Sequence, residues 1–319
     1  MSPTRAVWQI SGGTMGRSYA DVFLQHGVGL LGPGDPGPWS TERYAYDWAL
    51  TGFLKSFAEE VRSDDIFLLR TGPATIRAVG IVASDYHYLH VFDDVCGWDL
   101  QHMRRVRWLE LPAEYTFATP VFRAAPSRFS RVKQPGVLAY VDQILGSPPN
   151  WWQEAPLPKL PDEEAPLGEV PSEVSQVVAE AQDLMPLMQD GIRFGDYPSE
   201  DEILAHLVVP FFRALGWRPE LIAVKWRRVD VALFRCLPRS PGNCCCVIEV
   251  KRLAAGVEGA FKQAKGYVDT LQIEGDIVVT DGVRYRLYDP ATGYTGVAYA
   301  NLAKLKCSAT KLFDRLRAA

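Results

Sequence analysis

Apolar residues in the second half of the chain follow two periods, one helical and one extended. Helical spacing covers residues 173–185, and a capping-box pattern at Ser199 and Glu202 opens a second helix that ends at Gly216. Pro210 lies inside that helix and predicts a kink. The elements predicted after it are strands over 229–234 and 245–250, a helix near 257–271, and strands over 276–280 and 283–288. The order α-β-β-α-β-β predicts an α/β domain.

The first half has short apolar runs separated by Gly, Pro and Asp, a pattern typical of a β-rich domain. The runs are 6–10, 66–69, 76–82 and 106–111, and residues 51–61 have helical spacing. We therefore expect a small barrel or a strongly bent sheet with one or two helices.

Between the halves, residues 147–171 are rich in Pro and acidic residues. Such a composition resists core formation and predicts an extended linker with few contacts. The predicted organisation is a domain over residues 1–150, a linker over 151–171 and a second domain over 172–319.

Composition limits the class of protein. With 47% hydrophobic and 23% charged residues, the chain has the profile of a soluble globular protein. No run of 18 apolar residues occurs, and the N-terminus lacks the apolar core of a signal peptide, so we expect no membrane partner. Three consecutive cysteines at 244–246 suit neither a disulfide framework nor a CxxC zinc site, which favours a reducing cytoplasmic location.

Charge is distributed unevenly. The net charge is -4, yet residues 150–202 alone carry -11, so the remaining chain carries +7. Basic residues concentrate in 102–133 and 218–252, which permits phosphate binding despite an acidic balance. Arg105, Arg107 and Arg228 are the candidate phosphate contacts, although charge alone favours an ordinary solvated surface.

Two carboxylates fall on neighbouring predicted strands. Asp230 lies in RRVDVALF and Glu249 in CVIEVKRL, and Lys251 shares one strand face with Glu249 because it is two residues further on. One or two carboxylates and a backbone carbonyl, here that of Val250, suffice to bind Mg²⁺. The lysine could orient or help to deprotonate a metal-bound water and offset phosphate charge. Alternatively, Asp230 and Glu249 are ordinary hairpin residues that form salt bridges, although burying such ion pairs inside apolar strands would be costly.

Five segments in this order resemble the PD-(D/E)XK nuclease superfamily, and in particular the N-terminal nuclease domain of type I restriction subunits: SEDEILAHLVVPFFRALGW, RRVDVALF, CVIEVKRL, FKQAKGYVDTL and DIVVTDGVRYRLYD. The resemblance covers residues 196–290 and implies a restriction-endonuclease-like α/β/α fold. It implies that Glu200 joins the metal shell with Asp230 and Glu249. It also implies that Gln263 and Tyr267, which share a helix face, lie beside the active site. Val229 replaces the proline of the superfamily's name.

The residue Glu200 has an alternative role, because an acidic residue at a helix N-terminus is favoured electrostatically without any metal. Gln263 and Tyr267 have ordinary roles as well, as a surface residue and a core residue respectively.

The first half is similar to PUA-like domains of the EVE and YTH type, on the strand pair DDIFLLR and AVGIV and the basic strand RRVRWLEL. Such domains often hold a modified base in an aromatic cage. Trp39 and Trp98 are predicted to be exposed and, with Asp99, are the base-binding candidates. Trp8 and Trp108 lie in apolar strands and are predicted to be core residues.

These observations predict a Mg²⁺- or Mn²⁺-dependent endonuclease of restriction or antiviral defence type. Its partner would be DNA, in which the first domain would read a feature such as a modified base, and cutting both strands would favour a homodimer. Two alternatives stay open. One is a defence nuclease gated by a nucleotide signal, and the other is a DNA-binding protein on an inactive nuclease fold.

Overall fold

A computed structural model describes residues 5–14, 17–34, 36–43, 46, 48–95, 98–122, 128–149, 152, 154–194, 198–253 and 257–318. Its contacts divide the chain into two units. Unit 1 comprises Met1–Val95 and Leu100–Asp162, and unit 2 comprises Cys96–Asp99 and Glu163–Ala319. The predicted boundary at residues 150 and 151 lies outside the described residues.

Unit 1 is built on a curled, mostly antiparallel sheet in the order β4-β8-β6-β5-β1-β9, with β7 paired to β8. The strands of unit 1 are β1 (Val7–Ser11), β2 (Gly13–Thr14), β3 (Arg17–Ser18), β4 (Val28–Leu31), β5 (Ile66–Arg70), β6 (Thr75–Val82), β7 (His87–Tyr88), β8 (His102–Thr116) and β9 (Phe129–Arg131), of which β2 and β3 pair only with each other. The four strands predicted from apolar runs are therefore confirmed as β1, β5, β6 and β8.

Helices accompany this sheet, and those whose bounds lie within the described residues are α1 (Ala20–His26), α2 (Trp39–Glu42), α3 (Trp48–Lys55) and α4 (Pro135–Gly146). The helix predicted over 51–61 corresponds to α3 and the π-helical turn Ser56–Glu60 that extends it. The helices α1 and α4 were not predicted. Val137 and Val141 of α4 are buried in the core with Trp152, which anchors the segment after the helix.

Unit 2 contains a six-stranded mixed sheet in the order β10-β11-β12-β13-β14-β15. Its strands are β10 (Ile222–Trp226), β11 (Val229–Phe234), β12 (Cys244–Val250), β13 (Asp276–Thr280), β14 (Arg284–Asp289) and β15 (Thr295–Asn301). The four predicted strands are confirmed as β11 to β14, and the two edge strands were missed. Only β12 and β13 run parallel, because the helix between them forms a crossover connection.

Helices cover both faces of this sheet. They are α5 (Ser172–Phe194), α6 (Glu200–Ile203), α7 (Val209–Ala214), α8 (Ala260–Leu271) and α9 (Ala309–Leu316). Helices α5, α6, α7 and α9 contribute to one apolar core, and α8 contributes to the other. The predicted α/β class is confirmed for this unit, since burial on two faces explains the nearly continuous apolar strands.

The helix that opens at Ser199 has the predicted capping box, in which the side chains and backbone N–H groups of Ser199 and Glu202 are paired reciprocally. The helix continues past Pro210, as α6 leads through a π-helical turn, Leu204–Val208, into α7. A wider turn before Pro210 accommodates a residue that cannot donate a backbone hydrogen bond.

The segment predicted to be a linker with few contacts is bound to protein along much of its length, so that prediction is wrong. Within unit 1, Trp152 is fully buried and its indole N–H donates to the Arg107 carbonyl at 3.0 Å. Within unit 2, Glu163 pairs with Lys304 at 2.7 Å, and Leu167 N–H donates to Leu305 O at 3.0 Å. Proline lacks an amide hydrogen but its carbonyl accepts, so a Pro-rich segment can still be fastened to a surface.

No helix within the described residues has the length and apolar character needed to cross a membrane.

Candidate active site in unit 2

Asp230 and Glu249 lie near the ends of two adjacent antiparallel strands. Val231 in β11 pairs with Ile248 in β12, and continuing this register by one residue brings Asp230 opposite Glu249. Alternation along each strand directs both carboxylates to the face that α8 covers, since Ala232 and Val247 belong to that core. Lys251, two residues after Glu249, shares this face.

The carboxylate of Asp230 is held from two sides. Oδ2 accepts the Val250 backbone N–H at 2.9 Å, and Oδ1 accepts the Lys225 ammonium at 2.9 Å. The same ammonium lies 3.1 Å from Asp201 in the first turn of α6. The hydrogen bond that Lys225 donates to Asp230 raises the pKa of Lys225 and outweighs the opposing effect of burial, and Asp201 reinforces it. A fixed cation therefore stands beside Asp230.

Glu249 is only 1% exposed, and its two oxygens differ. Oε1 accepts the Lys251 ammonium at 2.6 Å, whereas no described residue donates a hydrogen bond to the buried Oε2. Burial raises the pKa of Glu249 to about 7; Lys251 opposes this change, while the negative charges of Asp230 and Glu200 add to it. A buried acceptor without a donor is costly unless it has a ligand to bind.

Lys251 completes this cluster as a cation. Burial lowers the pKa of its ammonium, but the hydrogen bond and charge of Glu249 outweigh burial and raise the pKa overall. Lys251 is therefore protonated at neutral pH, which favours a role in neutralising substrate charge over a role as a free base.

The described residues contain no group of three His, Cys, Asp or Glu side chains arranged to hold a metal ion. Two carboxylates do converge here, and a hard cation such as Mg²⁺ is commonly bound by one or two carboxylates and several waters. The unpartnered Oε2 of Glu249 beside Asp230 fits such an ion. The ligand roles of Glu200 and the Val250 carbonyl stay predictions; Glu200 contributes negative charge to the cluster.

Gln263 and Tyr267 lie on α8, the helix that packs on the carboxylate face of the sheet. Gln263 Nε2 donates to the Tyr267 hydroxyl at 2.9 Å, as their spacing of four residues allows. No hydrogen bond joins this pair to Asp230 or Glu249 among the described residues. Their predicted place beside the active site stays a prediction.

Two of the three candidate phosphate contacts have backbone partners instead. The Arg105 guanidinium donates to the carbonyls of Gly27 and Pro158, and Arg107 donates to Ala155 O at 3.2 Å. The two side chains share a strand face as predicted, and the segment that follows α4 covers that face. Arg228, by contrast, is exposed at the turn between β10 and β11.

The base-binding candidates are not exposed, so the prediction of exposed aromatic rings is wrong. Trp39 is 3% exposed and donates its indole N–H to Glu59 at 2.8 Å. Trp98 is 2% exposed, and Asp99 is fully buried and pairs with Arg284 at 3.3 Å. Trp8 is a core residue as predicted, and Trp108 is half-buried. Position beside Pro/Gly or acidic residues was a poor guide to exposure.

Unit 1 contains a buried polar cluster of a different kind, centred on His102. Tyr86 lies 2.8 Å from Nδ1, while Tyr46 and the Pro33 carbonyl lie 2.9 and 3.0 Å from Nε2. One tautomer satisfies the ring: Nε2–H donates to Pro33 and Tyr46, and Nδ1 accepts from Tyr86. Burial lowers the pKa of His102 to about 4, so the ring is neutral at neutral pH.

Sequence reasoning missed both Lys225 and His102. For Lys225 a signal existed, because a basic residue five positions before Asp230 sits across a two-residue turn from it. No comparable pattern marked His102, whose partners come from positions far apart in the chain.

A family model described as a domain of unknown function (DUF8426) matches residues 9–118. The match covers about a third of the chain and falls mainly on the sheet of unit 1. No curated protein matches the sequence.

Proposed function

We propose that the protein is a divalent-metal-dependent deoxyribonuclease whose active site is the Asp230, Glu249 and Lys251 cluster. The observation that carries the proposal is the buried Glu249 carboxylate with one unpartnered oxygen, next to a second carboxylate and a protonated lysine. The resemblance of five ordered segments to PD-(D/E)XK nucleases supports the same reading. The fold supports it further, since helices cover both faces of a mixed sheet.

In this proposal Glu249 and Asp230 would hold Mg²⁺ or Mn²⁺, and the bound ion would supply an activated water and neutralise phosphate charge. The Val250 N–H fixes the orientation of the Asp230 carboxylate. Lys251 keeps its proton and stabilises negative charge that develops on the scissile phosphate. Lys225 holds Asp230 from the opposite side and ties it to α6, where Glu200 lies.

For unit 1 we propose a role in recognising a nucleic-acid feature, on the similarity of its strand pattern to PUA-like domains. Trp39 and Trp98 are buried and are not carried forward as a surface cage. The test is binding of the full-length Glu249→Gln variant to duplexes with and without modified cytosine or adenine. Equal affinity for all duplexes would contradict base recognition. Thermal protection by a cyclic nucleotide and not by DNA would favour the signal-gated alternative.

Cleavage of linear and supercoiled DNA by the full chain tests the nuclease activity. We expect cleavage with Mg²⁺ or Mn²⁺ and none in excess chelator. Glu249→Gln should reduce the rate by roughly 100-fold or more, because a metal-binding carboxylate is replaced by a neutral amide that binds metal weakly.

Asp276→Asn is a matched control, because Asp276 is also a buried carboxylate in this sheet but pairs with Arg315 at 2.9 Å. We expect this variant to lose stability yet keep its cleavage rate per folded molecule. Cleavage that persists in chelator, or that falls equally in both variants at equal folded fraction, would refute the proposed active site.

A further inference from the structure

The turn between β10 and β11 has an unusual backbone for its sequence. Trp226 pairs with Val229, so Arg227 and Arg228 form a two-residue hairpin turn. Their φ angles are 49° and 75°, and Lys225 just before them has a φ of 51°. Positive φ at both central residues is the signature of a type I′ turn, which strongly favours Asn-Gly. Two arginines therefore occupy positions that disfavour side chains.

The side chains of this turn are open to solvent. Arg227 and Arg228 are exposed, and among the described residues neither forms an ion pair with an acidic side chain. The Arg227 guanidinium lies 5.0 Å from the centre of the Trp226 ring, a cation–π contact that leaves its hydrogen-bond donors available. Backbone strain retained at an exposed, charged turn indicates a function for the side chains.

The turn is also next to the candidate active site. Arg228 precedes Asp230 by two residues, a distance of about 7 Å along a strand. Lys225, at the other side of the turn, contacts Asp230 itself. A strand of duplex DNA carries one phosphate per about 3.4 Å of helix axis, so a phosphate at the carboxylates would have neighbours within reach of the turn.

We propose that Arg227 and Arg228 bind the DNA backbone on the phosphates that flank the scissile one. This inference rests on the proposed function and adds the surface by which the substrate is held. Arginine suits the task because its planar donors bind phosphate oxygens in pairs. The turn reads no base sequence and positions the strand only.

The experiment replaces Arg227-Arg228 by Asn-Gly, the sequence that a type I′ turn favours. Full-length Glu249→Gln, which should bind without cutting, serves as the parent, and Arg227→Asn with Arg228→Gly is added to it. Binding to a fluorescent duplex is measured by anisotropy across a salt series. We expect an equal or higher melting temperature, weaker binding, and a salt-dependence slope smaller by about 0.9 for each lost phosphate contact.

Two further variants sharpen the result. Arg227→Lys with Arg228→Lys keeps the charges and should keep most of the slope, while Lys311→Ala removes an exposed cation on α9 and should change it little. A slope change in the Asn-Gly variant no larger than that of Lys311→Ala would overturn the inference. If the wild type cuts DNA with Mg²⁺ in that case, the nuclease proposal still stands. If instead the Asn-Gly variant loses binding but the wild type never cuts, the turn still binds DNA, whereas the nuclease proposal and the placement of the turn beside a scissile phosphate both fail.

Discussion

The buried polar clusters of the two units differ in whether their hydrogen bonds are complete. In unit 1, both ring nitrogens of His102 have partners in Tyr86, Tyr46 and the Pro33 carbonyl. In unit 2, Glu249 shares one oxygen with Lys251 and leaves the other buried without a donor. A complete network rigidifies a core, whereas an incomplete one is a cost that a ligand can remove.

The difference also extends to ionisation. Burial lowers the pKa of His102 and so keeps the ring neutral, while burial raises the pKa of Glu249 and charged neighbours surround it. Shifted pKa values alone would mark both sites as functional candidates. The two sites differ in the hydrogen-bond partners of the buried group. Of His102 and Glu249, only Glu249 lies in a cluster of mixed charge and has an acceptor atom without a donor.

The largest effect on stability is expected from His102→Ala. The change removes one hydrogen-bond partner from the Pro33 carbonyl and from each tyrosine hydroxyl and creates a cavity, which should cost about 3 kcal/mol of unfolding free energy. Hydrogen exchange of peptides from each unit should show the loss in unit 1. If cleavage per folded molecule fell while unit 1 stayed protected, His102 would have a functional role and the contrast would fail.

The second prediction concerns the acid stability of unit 1. His102 has a folded pKa of about 4, below its ordinary value of 6.5, so the unfolded chain binds more protons between these values. Its contribution to stability is complete above pH 6.5 and is lost as the pH falls towards 4, by on the order of 2 kcal/mol. His102→Asn should reduce the dependence of the unfolding free energy of unit 1 on pH, which denaturant unfolding at several pH values measures. An unchanged slope would show that another group causes the acid sensitivity.

The third prediction has the opposite sign and concerns Glu249 in the presence of chelator. Its folded pKa of about 7 exceeds the ordinary value of 4.5, so its contribution to stability is complete below pH 4.5 and is lost as the pH rises through 7. Glu249→Gln removes this loss, so the stability of the variant relative to wild type should increase from pH 5 to pH 8 by about 1–2 kcal/mol.

Asp281 also has a raised pKa, but it is present in both proteins and its effect cancels in the comparison. Added Mg²⁺ should raise the melting temperature of the wild type at pH 8 and leave that of Glu249→Gln nearly unchanged. A constant difference between the two proteins across this pH range would mean that Glu249 is not the group that titrates.

The smallest effect is expected from Arg107→Ala. Its guanidinium donates to the Ala155 carbonyl, so its loss should cost about 1 kcal/mol in unit 1. We expect the salt dependence of DNA binding to stay unchanged, because a backbone carbonyl engages this guanidinium. A slope reduced by about one unit would restore the original assignment of Arg107 as a phosphate contact.

Much of unit 2 could be predicted from sequence. The strands around Asp230 and Glu249 are apolar on both faces, and the helix between β12 and β13 has a clear period, so local pattern and burial agree. The edge strands β10 and β15 were missed because one side of each is open and their residues are mixed: Val224 is 49% exposed and Val297 is 39% exposed. Whether a strand lies at the edge depends on the order of strands in the sheet, and the pattern of apolar and polar residues along the chain indicates it only weakly.

The sequence by itself determined the α/β class, the main strands and the residues that could form an acidic site, because these depend on local period and on spacing within one strand. Only the tertiary structure decided which groups meet. It left one oxygen of Glu249 without a donor, surrounded His102 with partners and fastened the Pro-rich segment. Exposure and pairing depend on residues distant in the chain, and no local pattern carries that information.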